Sequence, residues 1–348
     1  MKVIVFTKNW LGDLLFQFPA IQAIKTRWPD AEIICLTPER CRDIAAYHPA
    51  VSEVVVFDER AGEQLLLNKI KFVSKLRRQG PWDQAYLFHR SRTRAAMAVM
   101  LGARARIGYG SRRRWFLTTS VKEPAEPMHH VDYYLHLLDK AGVPASGERL
   151  YRFSPRSEDY GKANEILTHN RASASGYACF HLGANWEPKR WPVLRFAEAA
   201  DLIHDKWNFP VFLTGSAQDS LLAEQVLTLV KKARVISLAG RTPFGELAAL
   251  FQSSSFVISG DSGPMHIASA AGARVAALFG PTDPRLTGPR GPGESLVIQH
   301  IPEGYSVPWI GEVPGSGWLE HISAAQVVRA IEKRGWYTAG IPASEGKR

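Results

Sequence analysis

The sequence predicts an α/β protein built as two doubly wound units in tandem, on three observations. The chain is 348 residues long, and at roughly 150 residues per domain that length suits two domains, each with its own core. Short apolar runs alternate with segments whose apolar residues recur at helical spacing, the pattern that builds parallel sheets through right-handed βαβ crossovers. The alternation pauses near residue 150 and then starts again.

Val3–Phe6 predicts the first strand, and a turn at Lys8–Gly12 follows it. Leu14, Leu15, Phe18, Ile21, Ala23 and Ile24 then fall on one helical face. Glu32–Leu36, Glu53–Phe57, Gln84–Phe88 and Ala105–Tyr109 supply further strands, most of them separated by helix-like segments. The Gly-, Ser- and Pro-containing stretch Gly142–Ser157, with a helix near Asp159–Asn170, reads as the connection, giving domains 1–158 and 159–348. The second unit opens with Tyr177–His181 and continues through Val211–Thr214, Arg234–Ser237, Phe256–Ser259 and Val275–Phe279. Pro192 and Pro243 stand where helices begin, a position that tolerates proline. Ala324–Arg334 is the last expected helix, ahead of a tail, 338–348, expected to be mobile. Two Rossmann-like domains are the simplest architecture. Such sheets bind ligands beyond the carboxyl ends of their strands, so the strand-to-helix turns are where function is sought.

Composition excludes several classes. With 45% hydrophobic and 22% charged residues, the chain is neither a disordered polyelectrolyte nor a fibrous repeat nor a disulfide-stapled mini-protein. Cys35, Cys41 and Cys179 make an odd set without metal-ligand spacing and read as core thiols in a reducing cytosol. No apolar run approaches the ~20 residues that span a bilayer. Met1–Phe6 is too short for a signal peptide and passes at once into Lys8-Asn9, so a cytoplasmic location is expected. The net charge is +10, and it is skewed: residues 1–160 carry +8 and the remainder +2. Between Lys69 and Arg114 there are 13 Lys/Arg and one acid, Asp83. A field of one sign attracts nucleic acid, anionic lipid headgroups or an acidic small molecule, and composition does not choose among them.

Three turns carry candidate chemistry. The first, Thr7-Lys8-Asn9-Trp10-Leu11-Gly12-Asp13, has neither the dinucleotide fingerprint nor a Walker-type phosphate loop. It places Asp13 in the first helical turn, either complementing the helix end or serving as a general base. The second runs from His181 to Pro192, where Lys189 and Arg190 suit a diphosphate or a solvated basic loop, with Trp191 packed on the next helix. The third, Ser259-Gly260-Asp261-Ser262-Gly263-Pro264-Met265-His266, opens a helix with small residues that expose backbone N–H groups to an anion, though Asp261 also suits a plain helix cap. Its Gly-Asp-Ser-Gly resembles a serine-protease nucleophile, but the surroundings are α/β and the pattern breaks at Pro264.

These turns, with Phe279-Gly280-Pro281-Thr282-Asp283-Pro284, together resemble glycosyltransferase family 9, the ADP-heptose:lipopolysaccharide heptosyltransferases. Each motif is weak alone; four in order on matching elements are a strong signal. At Gly183-Ala184-Asn185 the chain is nearer the heptosyltransferase II pattern (Gly-Ala-Glu) than the two threonines of heptosyltransferase I. The resemblance implies a GT-B fold, two Rossmann-like domains with parallel sheets facing across a cleft, and inverting transfer with no required cofactor or metal. It implies Asp13 as the base that deprotonates the acceptor hydroxyl. For the donor it implies Lys189 on the diphosphate, the backbone of Ser262 and Gly263 as N–H donors, Asp261 on sugar hydroxyls and His266 near the phosphates. Asp219 falls to the ribose, Thr242 to the adenine, and Asn185 to the donor loop.

On the acceptor side Gly12, Arg90, Arg92, Arg112, Arg113 and Arg114, with Arg94, are candidates for the carboxylates and phosphates of an anionic glycolipid. For any single arginine a solvated face is the alternative. Nucleic-acid binding lacks a recognised reading motif, and no nucleic-acid partner is expected. Peripheral contact with the inner membrane follows from a membrane-held acceptor. The rival readings are a nucleotide-sugar 2-epimerase or another GT-B transferase, and, from another class, a non-catalytic basic nucleotide- or nucleic-acid-binding module.

Overall fold

The computed structural model describes residues 1–57, 66–145, 147–301 and 317–337, the side chains of Leu66, Ser111 and Arg112 excepted. The chain divides into two compact units, Met1–Tyr151 and Arg152–Arg348. The division falls ahead of 158/159 because the Phe153 amide already donates to Ala270 of the second unit, at 3.0 Å.

Unit 1 runs β1 (Lys2–Phe6), α1 (Leu11–Leu15), α2 (Phe18–Arg27), β2 (Glu32–Thr37), α3 (Arg42–Ala46), β3 (Glu53–Val56), α4 (Leu66–Arg77), β4 (Gln84–Leu87), α5 (Arg92–Met100), β5 (Ala105–Tyr109), β6 (Thr119–Val121) and α6 (His130–Lys140). A 3-10 turn, Ser111–Phe116, links β5 to β6. Its six strands are parallel, in the order β3-β2-β1-β4-β5-β6. Unit 2 runs α7 (Ser157–His169), β7 (Ala178–His181), α8 (Val193–Trp207), β8 (Val211–Thr214), α9 (Ser220–Leu229), β9 (Val235–Ser237), α10 (Phe244–Ser253), β10 (Phe256–Gly260), α11 (Gly263–Ala271), β11 (Val275–Phe279), α12 (Pro284–Thr287), β12 (Ser295–Gln299) and α13 (Ala324–Lys333). Its parallel order is β12-β11-β10-β7-β8-β9. Counted within the unit, that is the same 3-2-1-4-5-6 winding, so each unit has one switch point: between β1 and β4, and between β7 and β10.

The central strands are apolar on both faces, as sheets covered by helices on both sides require. Val3 to Phe6 and Val275 to Phe279 are fully buried. The α/β class and the two Rossmann-like units expected from the periodicity are present. Two edge strands, β6 and β12, are not among the expected strands: β6 is three residues beginning Thr-Ser, while β12 carries the run Leu296-Val297-Ile298 and leaves Val297 exposed. The helix expected from Leu14 to Ile24 breaks at Phe16–Gln17, because Pro19 has no N–H and its ring would clash with the carbonyl four residues back. Pro192 and Pro243 cap α8 and α10. All three cysteines are buried thiols. The tail 338–348 lies outside the described residues.

Candidate functional site

At the switch point of unit 1 the chain leaves β1 at Thr7, whose N–H and hydroxyl both donate to Leu36 O at 3.1 and 3.2 Å. Arg94, 1% exposed, reaches across from α5. Its guanidinium donates to Thr7 O at 2.6 Å and to Asn9 Oδ1 at 2.7 Å, pinning the loop that leads into α1. Gly12 and Asp13 therefore enter on a fixed first turn. The Asp13 carbonyl accepts from Gln17 Nε2 at 2.9 Å. Its carboxylate, one quarter exposed, lies 3.8 Å from His130 Nδ1 at the start of α6. The Phe16 ring stands edge-on to both His129 and His130 at 5.4 Å. The Asp13 charge is felt around it: burial first, with Asp13 adding, pushes the Cys41 thiol up to about 12 and the Tyr134 phenol well above its ordinary value.

The loop after β4 meets the same point, with the His89 amide donating to Phe6 O at 3.1 Å. Burial, then the charges of Arg94, Lys8 and Arg113, push the His89 imidazole down to about 3. That is a positive field around a neutral histidine, suited to an anion.

The expected acceptor arginines separate into kinds. Arg113 is 2% exposed and serves the fold. Its guanidinium donates to the carbonyls of Tyr109 (2.9 Å), Leu87 (3.1 Å) and His89, tying the ends of β4 and β5. Burial lowers its pKa to about 10. Arg113 and Arg94 are thus withdrawn as acceptor ligands: both are buried, and their guanidinium groups donate to carbonyl and amide oxygens of unit 1. Arg90 is half-exposed, donates to Tyr133 Oη at 2.7 Å and pairs with Glu123 at 2.8 Å. Arg92 and Arg114 are exposed. The Arg112 side chain lies outside the described residues.

At the switch point of unit 2, Asp261 follows β10 and is 6% exposed. Its Oδ2 accepts from Lys189 Nζ at 2.5 Å and from Thr282 Oγ1 at 2.7 Å, while Oδ1 lies 3.7 Å from His266 Nε2. Burial alone would raise this carboxyl; the charges of Lys189 and His266 override it and hold the group well below the ordinary carboxylate range. Four elements converge here. Lys189 ends a 3-10 turn, Glu187–Lys189, whose carbonyl lies against Gly260 so closely that a Cβ there would collide with it. Gly280 similarly admits Trp318, whose Cβ would stand 2.7 Å from any Cβ at position 280. Gln299 Nε2 holds the intervening loop through Thr282 O at 2.9 Å. Trp191 anchors the other side, its indole N–H donating to Ile322 O at 2.8 Å and its ring edge-on to Phe196. Ser262 caps α11, accepting from Met265 N at 3.4 Å, so Gly263 begins the helix with the N-terminal end beside Lys189.

Asp219 is buried and caps its own turn, its Oδ2 accepting from Ser216 N and Oγ, both at 2.7 Å. Asn185 is exposed on the loop after β7, and Thr242 is half-buried just ahead of α10. The structure therefore brings together Lys189, Asp261, Ser262, Gly263 and His266, and sets Asp13 beside His130. His130 and the bond from Thr282 to Asp261 escape sequence reasoning. The His129-His130 doublet was visible, but nothing local ties it to a carboxylate 117 residues earlier. Among the described residues no group of three or more His, Cys, Asp or Glu side chains is arranged to hold a metal ion.

Known proteins share this architecture. The solved heptosyltransferase II of Escherichia coli superposes with a TM-score of 0.78 at 25% identity, covering 96% of this chain and 98% of that one. A family 9 glycosyl transferase from Veillonella parvula superposes with a TM-score of 0.83 at 22% identity, over 95% and 96% of the two chains. Both sheets and their flanking helices thus have the GT-B arrangement. In sequence, lipopolysaccharide heptosyltransferase 2 of E. coli K12 is 27% identical over 301 residues, 83% of this chain and 85% of that protein. Lipooligosaccharide heptosyltransferase 2 of Haemophilus ducreyi is 26% identical over 83% of this chain and 86% of its own length. The family model of glycosyltransferase family 9 (heptosyltransferase) matches residues 70–307, and on that match, well over half its length, the chain belongs to this family of glycosyltransferases.

Proposed function

We propose that this chain transfers heptose from ADP-heptose to an inner-core lipopolysaccharide acceptor, with inversion and without a metal. The observation that carries the reading is the cluster of Lys189, His266 and Thr282 around Asp261, at the N-terminal end of α11 and the switch point of unit 2. A departing diphosphate needs positive charge and fixed donors as its charge develops. Lys189, oriented by Asp261, supplies the charge, and the N–H groups of the first turn of α11 supply the donors. Asp261 acts in this reading by orienting Lys189, Thr282 and His266 more than by meeting sugar hydroxyls. Asp219 keeps Oδ1 for a ribose hydroxyl, Thr242 packs beside the adenine, and Asn185 lies on the donor loop.

Unit 1 holds the acceptor. Its hydroxyl is a poor nucleophile until Asp13 takes the proton. The oxygen then bonds to the anomeric carbon as the bond to ADP breaks, the electron pair leaving on phosphate oxygen. Lys8, Arg90, Arg92 and Arg114, with Gly12, meet the acidic groups of the acceptor. No helix among the described residues is long and apolar enough to cross a membrane; in this reading the enzyme works on the cytoplasmic face of the inner membrane, in peripheral contact with it.

The test is to mix the purified chain with ADP-heptose and lipopolysaccharide lacking heptose, and to weigh the product. A gain of one heptose is expected. The Asp13→Ala variant should lose roughly 100- to 10,000-fold in turnover while binding ADP as the wild type does. Epimerised donor without transfer would instead indicate an epimerase, and neither reaction together with polyanion binding would indicate a non-catalytic module.

A further inference from the structure

The His129-His130 doublet divides its work. His129 is buried and caps α6, its Nδ1 accepting from Val131 N at 3.1 Å. His130 is the first residue of α6, and its side chain, 40% exposed, is the one that reaches Asp13. The buried Phe16 stands edge-on to both rings and, at 5.8 Å, to Tyr151. The His130 ring is thus steadied by the same short segment that carries Asp13.

That turn of α6 serves a second group. Tyr133 follows His130 by one helical turn, so the two side chains share a face. Its hydroxyl accepts from Arg90 Nε at 3.1 Å and from a terminal guanidinium nitrogen at 2.7 Å, while Glu123 holds the same guanidinium at 2.8 Å. One turn of α6 therefore touches both the proposed base and one of the arginines proposed for the acceptor.

A base must present one oxygen to the hydroxyl within about 3 Å, and a carboxylate free to turn does so only part of the time. Gln17 holds the Asp13 carbonyl, and Arg94 holds the loop before it. Neither contact fixes the rotation of the carboxylate. Tyr134 and Cys41 also feel the Asp13 charge, but burial keeps both neutral, and Arg40 lies over the Trp10 ring at 4.6 Å. His130, 3.8 Å from Oδ1, is the group suited to steer it. Catalytic contacts of this length commonly tighten once substrate enters.

We propose that His130 is a positioning residue for Asp13: its Nδ1–H faces Oδ1 and turns Oδ2 toward the acceptor hydroxyl. The hydroxyl proton passes to Oδ2 as the oxygen bonds to the anomeric carbon, and His130 keeps its own proton throughout. The proposal deepens the functional reading and rests on it, since Asp13 needs steering only if it deprotonates an acceptor.

The experiment compares His130→Asn, which keeps a nitrogen donor near the place of Nδ1 and loses the ring, with His130→Phe, which keeps a ring against Phe16 and loses the donor. Heptose transfer to heptose-deficient lipopolysaccharide is followed in each. His130→Phe should lose about 10- to 100-fold in kcat with the KM for ADP-heptose unchanged, and His130→Asn should stay within about three-fold of the wild type. A packing role would reverse that order. A Phe variant as fast as the wild type, or an Asn variant as slow as the Phe variant, would overturn the proposal. A second measurement needs no turnover: titration of the histidine rings by NMR in the wild type and in Asp13→Asn. Loss of the carboxylate should lower the titration point of His130 by about half a pH unit or more, and an unmoved titration would also overturn the proposal. If the wild type transfers no heptose, the functional reading fails, while the titration still decides the pairing.

Discussion

A buried carboxylate held by a lysine, a threonine and a histidine sets the electrostatics at the switch point of unit 2. Burial pushes Asp261 toward the neutral acid, and Lys189 and His266 reverse that, so its folded pKa lies below the ordinary 3.8. A carboxyl whose pKa is depressed on folding adds stability that is present above its unfolded pKa and lost as pH falls through the folded one. Asp261→Asn keeps an acceptor for Thr282 but leaves Lys189, whose side chain is only 22% exposed, without its counter-charge. Urea denaturation at pH 7 should show a loss on the order of 3 kcal/mol. The gap between wild type and variant should shrink as pH drops below 3.8, the wild type losing what the variant never had. A gap independent of pH would mean that the ion pair is not its source. Lys189, Asp261 and His266 were legible in the sequence because each belongs to a short turn motif after a strand. Arg94, Arg113 and His130 were not. Their partners arrive from other strands, and a basic residue that donates to backbone carbonyls looks in sequence like one that awaits a ligand.

The elements matter here through their ends. Both units place their candidate chemistry where the winding reverses, and the periodicity of apolar residues was enough to locate those turns, since the inner strands are apolar throughout. The edges were harder to read: β6 lacks a continuous apolar run, β12 is absent from the expected strands although Leu296-Val297-Ile298 is such a run, and the break between α1 and α2 depends on one proline. Arg113 shows what an end requires. It satisfies carbonyls of Leu87, His89 and Tyr109 where β4 and β5 finish. Arg113→Met preserves volume but withdraws the donors from buried acceptors, and should cost about 3 kcal/mol in thermal or chemical denaturation. Arg114→Ala, one residue along and exposed, should stay within about 0.5 kcal/mol. If Arg113 instead served the acceptor, its replacement would raise the acceptor KM at unchanged stability.

On the scale of the whole molecule, the same winding occurs twice but the histidines pushed below their ordinary pKa are unequally shared. In unit 1, burial lowers His48 to about 4, and burial with the surrounding cations lowers His89 to about 3; His136 shifts the same way. In unit 2, burial lowers His181 to about 4. The hydrogen bonds fit neutral rings: Nδ1 of His48 accepts from Ala50 N, and Nδ1 of His89 from Ser91 N, both at 3.1 Å, and a proton on either nitrogen would break its bond. For each of these groups the unfolded chain binds the proton first, at the ordinary 6.5. Stability therefore falls as pH drops from 6.5 toward the folded value, at up to about 1.4 kcal/mol per pH unit per histidine. Asp261 does not enter until pH falls below the ordinary 3.8. Between pH 7 and pH 5 unit 1 should thus lose about twice the stability that unit 2 loses. Hydrogen exchange resolved by segment measures it: amides of β1, β2 and β4 should lose more protection on acidification than those of β7, β8 and β10. His48→Gln should remove its share of the pH dependence of unit 1, leaving that of His89, and leave unit 2 unchanged. Equal losses in the two units, or a slope in unit 1 that the substitution does not reduce, would assign acid sensitivity to other groups.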